Sequence, residues 1–204
     1  TKSQMNKPCS QACENNKRPI LAVLKNAFAE VETVLEIGSG TGQHAVYFAE
    51  HLPQVSWQPT DLAENLAGVQ LWLDEAKLAN IRPPMVLDVR MQPWPIAPTD
   101  AIYTANSLHI MGAAEVEQFF QGVAETLLDG GRLCVYGPFN YGGKFTSQSN
   151  ARFNEWLFLQ NPKSAIRDFE WVSELAEAAG LSLLADHTMP ANNRLLEWLK
   201  RSFP

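Results

Sequence analysis

Apolar positions along this chain follow two rhythms that take turns. After Pro19, residues Ile20, Leu24, Ala27, Phe28 and Val31 recur at helical spacing. Pro19 suits the first turn of that helix, where a missing N–H costs nothing. The polar stretch 1–16 ahead of it reads as loop or a short helix. Thr33-Val34-Leu35-Glu36-Ile37 then has the pattern of a short buried strand. Gly38 to Gly42 form a glycine-rich turn, and Gln43 to His51 read as a helix that Pro53 ends.

The alternation continues through a strand at Val55–Pro59 and a helix with Leu62, Leu66, Val69, Leu73 and Ala76 on one face. A third strand is predicted at Met85–Val89 and a fourth at Ala101–Ala105. Val116, Phe119, Phe120, Val123 and Leu127 mark the next helix, and Asp129-Gly130-Gly131 turns the chain into a fifth strand, Arg132–Tyr136. Strands that are apolar throughout and alternate with amphipathic helices predict an α/β fold, a doubly wound, mostly parallel sheet covered on both faces. Residues 137–167, rich in Gly, Asn, Ser and aromatics, break the rhythm, with one short helix around Asn154 to Leu159. So long an excursion reads as a lid or acceptor-binding loop. A last helix (Val172, Leu175, Ala176, Ala179) stops at Gly180, and strands near 181–187 and 194–200 flank Met189–Asn193 as a C-terminal antiparallel hairpin. No repeat or low-complexity tract interrupts residues 1–204, which read as a single domain opened by an N-terminal segment and helix, 1–31.

The sharpest chemical signal is Glu36-Ile37-Gly38-Ser39-Gly40-Thr41-Gly42, which follows a strand and opens a helix. Exposed amides and a helix N-terminus favour an anionic group. A dinucleotide needs G-x-G-x-x-G, whose third glycine would fall where Gln43 stands. The pattern here is G-x-G-x-G preceded by an acid, which suits S-adenosylmethionine (SAM): its carboxylate meets the loop amides and its cationic ammonium and sulfonium welcome Glu36. A ribose-binding acid belongs about 20 residues past such a loop, and Asp61 stands there; that spacing favours the ribose role over the alternative, an N-cap for a helix starting at Leu62. Asp88, at the end of the third strand, is placed to accept from an adenine amino group or to be a plain turn residue. Ser39 within the loop, with Leu62 and Val89 beside the two acids, completes the set read as lining a cofactor.

With these motifs on the page, the chain resembles class I SAM-dependent methyltransferases. More narrowly it is similar to the family catalogued as domain-of-unknown-function 938, to which methyltransferase-like protein 26 belongs. The resemblance runs through Lys7-Pro8-Cys9, Asn16–Leu21, the glycine loop, Trp57-Gln58-Pro59-Thr60-Asp61 and Leu87-Asp88-Val89. It continues in Asn106–Ile110, Tyr136–Phe139, Ser147–Asn150, Ile166-Arg167-Asp168 and Met189–Asn193. It implies a seven-stranded Rossmann-like sheet with the last strand antiparallel, and Glu36, Gly38, Gly40, Gly42, Asp61 and Asp88 around SAM. It implies no particular methyl acceptor.

Composition narrows the partners. Of 204 residues, 46% are apolar and 19% charged, ordinary for a globular chain, and the formal net charge is −6. That charge opposes a nucleic-acid partner, since only the pairs Lys17-Arg18 and Lys200-Arg201 cluster basic residues. Cys9, Cys13 and Cys134 form no disulfide framework, and no second Cys/His pair completes a metal site beside Cys9 and Cys13. Unpaired thiols imply a reducing, cytoplasmic setting. The opening Thr1–Gln4 lacks the apolar core of a secretory signal, and no apolar run is long enough to span a membrane. Trp94, between two prolines, reads as an exposed tryptophan.

Methyl transfer requires positioning and a dry pocket, with a base only where the acceptor arrives protonated. Asn106 and His109, after the fourth strand, border the expected cofactor site; His109 is the candidate base, since its pKa lies near neutrality, and otherwise a structural histidine. His44, His51 and His187 read as structural or exposed. Arg18 either meets the SAM carboxylate or pairs with Glu14. Tyr141, Lys144 and Asn150 in the long loop and Asn192-Asn193 in the hairpin are the candidate acceptor-binding residues, though Asn pairs also simply make turns. The alternatives to a methyltransferase of a small O, N or S acceptor are a non-catalytic SAM-binding protein and, against Gln43, a nicotinamide oxidoreductase. The oligomeric state is not legible.

Overall fold

In the computed structural model, which describes residues 6–202, strands and helices alternate from end to end; the Thr1–Gln4 opening lies outside the described residues. Strand β1 (Thr33–Ile37) pairs in parallel with β2 (Ser56–Asp61) on one side and with β4 (Thr99–Ala105) on the other. Beyond β2 lies β3 (Met85–Val86), and beyond β4 lies β5 (Leu127–Gly137), both parallel. Strand β9 (Asn193–Lys200) runs antiparallel between β5 and β8 (Leu181–Met189). The order is β3-β2-β1-β4-β5-β9-β8, seven strands in all, with the antiparallel hairpin at the chain's end.

Successive side chains of a strand point to opposite faces, and both faces here are buried. Val34, Tyr103 and Cys134 join a core beneath α1 (Gln11–Ala27) and α2 (Gln43–His51), with Phe28 and Phe48. Leu35, Ile102 and Leu133 join a core beneath α4 (Ala113–Thr126) and α6 (Phe169–Ala178), with Phe119 and Val172. Burial on both faces explains why these strands read as apolar runs rather than as alternation. Among the described residues no helix is long and apolar enough to cross a membrane.

Several local expectations are corrected. Helix α1 begins at Gln11, capped by Ser10, whose hydroxyl accepts from the Cys13 amide at 3.3 Å, so Pro19 lies in its interior. The third strand keeps only Met85–Val86, and the helix that follows β2, α3, runs Leu66–Ala76 after a single 3-10 turn at Ala63–Asn65. Asp61 therefore does not cap a helix at Leu62. In β5 the Asp129-Gly130-Gly131 segment is absorbed as a bulge, the register stepping from Thr99↔Leu127 to Ala101↔Arg132. The 137–167 excursion is tied down by a two-stranded pair, β6 (Phe139–Asn140) with β7 (Arg167–Asp168), and by α5 (Gln148–Gln160), longer than expected because the Ser147 hydroxyl caps it at the Asn150 amide. Trp94 is buried, 4% exposed, its Nε1 donating to the Val89 carbonyl and its ring filling the space a side chain at Gly122 would take.

Candidate functional site

The chain leaves β1 toward β2 on one side and reaches β4 on the other, so a crevice opens at the carboxyl ends of these strands. The glycine loop occupies it. Gly38 and Gly42 have φ of +70° and +95°, the left-handed region that costs glycine nothing. Each also faces a close neighbour: a Cβ on Gly38 would lie 2.8 Å from Ser107 Oγ, and one on Gly42 3.2 Å from Val69 Cα. The loop's own amides are largely used within the protein. Ser39 donates to the Thr60 carbonyl at 2.8 Å, Gly42 to the Ser39 carbonyl at 3.0 Å, and Gly40 to Asp61 Oδ2 at 2.7 Å.

Three carboxylates sit at or just past the carboxyl ends of β1, β2 and β3. Glu36 is 2% exposed, and its Oε1 accepts from Ser39 Oγ at 2.6 Å and Trp57 Nε1 at 3.2 Å. Burial, with the nearby Asp61 charge adding to it, pushes this carboxyl up to about 7. Asp61 Oδ1 accepts from the Leu62 amide and Asn65 Nδ2, so its two oxygens hold the loop against the 3-10 turn. Asp88 is gripped by the Arg90 guanidinium, with Nη2 at 2.6 Å from Oδ2, which holds it below the usual carboxylate range.

These groups border one cavity of about 480 Å³, within the range of small-molecule sites. Glu36, Gly38, Ser39, Gly40, Asp61, Leu62, Asp88, Val89 and Asn106 all line it; Gly42 and Arg18 do not. Gly42 sets the loop's shape from behind, against Val69 and Trp72. Arg18 is exposed on α1, and Glu14 takes Lys17 at 2.6 Å as its ion-pair partner. Asn106 has φ of +54°, unusual for a residue with a Cβ and found mostly in Asn. The wall also includes residues that no sequence pattern marks: Ser10 and Cys13 at the start of α1, Ile110 and Met111 after β4, and Asn161 at the end of α5.

A second cavity of about 340 Å³ is lined by Tyr141, Asn192 and Asn193, with Thr146, Thr188, Met189 and Arg194. Lys144 and Asn150 stay outside its wall. Lys144 is exposed, bridged to Tyr141, while buried Asn150 donates to Thr146 Oγ1 at 3.1 Å and braces the Asn192 carbonyl at 3.5 Å. The charges here are paired: Asp186 accepts from Tyr141 Oη and from Arg194 Nε, each at 2.7 Å. Tyr136, buried and in the wall of neither cavity, neighbours Asn16 and Asn193. Asn16 Oδ1 lies 2.7 Å from His44 Nε2, whose Nδ1 faces Tyr103 Oη at 3.1 Å.

His109 lines neither cavity. It is 4% exposed, edge-on to the Phe153 ring at 5.4 Å, with Gly137 against its Nδ1 side. Burial and the Arg167 charge push it down to about 4, so it is neutral at pH 7. Arg167 itself donates to the Leu108, Met111 and Lys163 carbonyls, clamping the loop that holds His109.

The family described as "Protein of unknown function (DUF938)" matches residues 7–200. Among solved structures, an O-methyltransferase family protein from Burkholderia thailandensis superposes with a TM-score of 0.82 at 17% identity, over 92% of this chain and 57% of that one. An O-methyltransferase family 2 protein from Planctomyces limnophilus, in complex with apigenin, gives 0.82 at 17%, over 93% and 58%. Human N-acetylserotonin methyltransferase, in complex with SAM, gives 0.80 at 15%, over 94% and 53%. The chain thus spans a little over half the length of these proteins, and what they share with it is the fold.

Proposed function

The chain belongs to the DUF938 family, and we propose that it is a class I SAM-dependent methyltransferase of the methyltransferase-like protein 26 type, acting on a small acceptor in the cytoplasm. One observation carries the reading: a single cavity at the sheet's switch point is bordered by carboxylates from the ends of β1, β2 and around β3. SAM fits that donor set. On this reading Asp61 takes the ribose hydroxyls, Asp88 the adenine amino group, and buried Glu36 the cationic end of the ligand. Bound there, SAM would supply a methyl group on a cationic sulfur; the chain's residues orient it and keep water out. A neighbour of the same fold, human N-acetylserotonin methyltransferase, is in complex with SAM, which supports the cofactor.

The second cavity is assigned to the acceptor, with Tyr141, Asn192 and Asn193 in its wall and Asn150 and Lys144 supporting it. On this reading 137–167 is the acceptor loop of one domain spanning 1–204. The one charge in the second cavity's wall, Arg194, is paired with Asp186, which with the net charge of −6 favours a small uncharged acceptor over nucleic acid. His109 is assigned to holding the β4–α4 loop; as a base it would need α5 to move away from it. Gln43, buried where a dinucleotide site needs glycine, disfavours a nicotinamide reaction.

Thermal unfolding with SAM, with S-adenosylhomocysteine (SAH) and with NAD tests the reading. Ligand at a hundredfold excess over its Kd adds ~2.7 kcal/mol, which for this size raises the midpoint roughly 5–10 °C. A rise with SAM and SAH alone is expected; a rise with NAD alone overturns the proposal. SAH formation with candidate acceptors then separates an enzyme from a SAM-binding protein without turnover.

A further inference from the structure

Gln43 opens α2 directly behind the glycine loop and is 3% exposed. Its Oε1 accepts from the Ser10 amide at 2.6 Å and the Thr41 hydroxyl at 2.9 Å. Its Nε2 donates to Glu14 Oε1 at 2.9 Å and the Ser10 carbonyl at 3.3 Å, with Cys9 Sγ at 3.7 Å. One side-chain amide thus ties residues 9–14 to the loop. The same stretch is anchored again upstream. Lys7 Nζ lies 3.6 Å from the centre of the Trp72 ring and 3.0 Å from Glu75 Oε2. Pro8 packs onto Gly68, where a Cβ would come within 2.9 Å of its ring, and its carbonyl accepts from Trp72 Nε1. Between the two anchors, Ser10 and Cys13 form part of the first cavity's wall.

We infer that residues 7–14 are a strap across the cofactor cavity, and that Gln43 is the positioning residue that latches it and slows cofactor release. The inference rests on the proposed SAM reading of this cavity. The side chain that breaks the dinucleotide pattern is the one that holds the strap: glycine at 43 would leave the loop open on this side.

The latch has a directional test. Q43E keeps the acceptor for Ser10 and Thr41 but sets a carboxylate against Glu14; E14Q/Q43E restores a donor–acceptor pair in the reverse sense. Calorimetry first establishes SAH binding to the parent. Stopped-flow release of SAH is expected to quicken roughly tenfold in Q43E and to recover in E14Q/Q43E. In a C9S background, iodoacetamide labelling followed by mass spectrometry reads Cys13, since Cys134 is buried. SAH should protect Cys13, and Q43E should weaken that protection. Should Q43E fail to fold, K7A, which loosens the other anchor and leaves the loop intact, is expected to quicken release as well. If SAH binds the parent but release is unchanged in the latch variants and SAH does not protect Cys13, the strap is overturned. If SAH does not bind the parent at all, the SAM reading falls and the strap's role with it.

Discussion

Glu36 sets the strongest pH dependence expected of the site. Its carboxyl ionises near 7 in the folded chain against a usual value of 4.5. Between those limits the folded state holds a proton that the unfolded state has lost, so stability falls as pH rises from 4.5 through 7 and is flat beyond. The full cost above pH 7 is on the order of 3 kcal/mol. His44 and His109, both pushed down to about 4 by burial, act in the opposite sense, costing stability as pH falls below their ordinary value, but they cancel in a comparison of parent and variant. E36Q retains an oxygen for Ser39 Oγ and Trp57 Nε1, so denaturant titration should find it as stable as the parent at pH 4 and more stable at pH 8. The same substitution should weaken SAH binding by calorimetry and remove a rise in affinity between pH 6 and 8, where the parent's carboxyl ionises to meet the ligand's ammonium. A parent affinity flat across that range would sink the assignment of Glu36 to the cation.

At the scale of elements, strain is concentrated where the two hairpin strands meet. Ala191 and Asn192 have φ of +57° and +59° inside the 3-10 turn Pro190–Asn192. Asn tolerates that region; alanine pays for its Cβ, and glycine would not. A191G should therefore stabilise the fold by about 1 kcal/mol, read as a thermal midpoint ~2–4 °C higher. A lower midpoint would mean that the alanine methyl is a packing contact rather than a strained one. The turn was legible in the sequence as a turn, because Pro and paired Asn announce one, but its curvature was not. The same limit explains the other corrections. Apolar spacing locates α1's buried face yet says nothing of polar turns before Pro19, which the Ser10 cap and Gln43 hold in place. The length of α5 was hidden because much of its surface is exposed and apolar, Trp156 and Leu159 included, so it lacks a clean amphipathic stripe. Trp94 looked exposed because prolines flank it; a missing side chain at distant Gly122 is what makes its pocket.

For the molecule as a whole, the doubly covered, mostly parallel sheet follows from the alternation of buried strands and helices, and the three acids were readable because Glu36 and Asp61 lie at the ends of β1 and β2 and Asp88 just beyond β3. The residues that close the cavity, Ser10, Cys13, Ile110, Met111 and Asn161, come from segments far apart in the chain, and no local pattern marks them. The two cavities also differ in which residues line them. Asp61 belongs to the first cavity, whereas Asn193 belongs to the second. If the first cavity holds the cofactor and the second the acceptor, damage to one should leave binding at the other intact. D61N removes a charge that accepts from Gly40 and Leu62 amides, and should weaken SAH binding at least tenfold, the scale of one charged hydrogen bond. N193A should leave SAH affinity within about twofold of the parent, while SAH formation with any acceptor the parent methylates drops roughly tenfold in kcat/KM. Loss of SAH binding in N193A to the same degree as in D61N would merge the two cavities into one site and return the acceptor to a place beside the glycine loop.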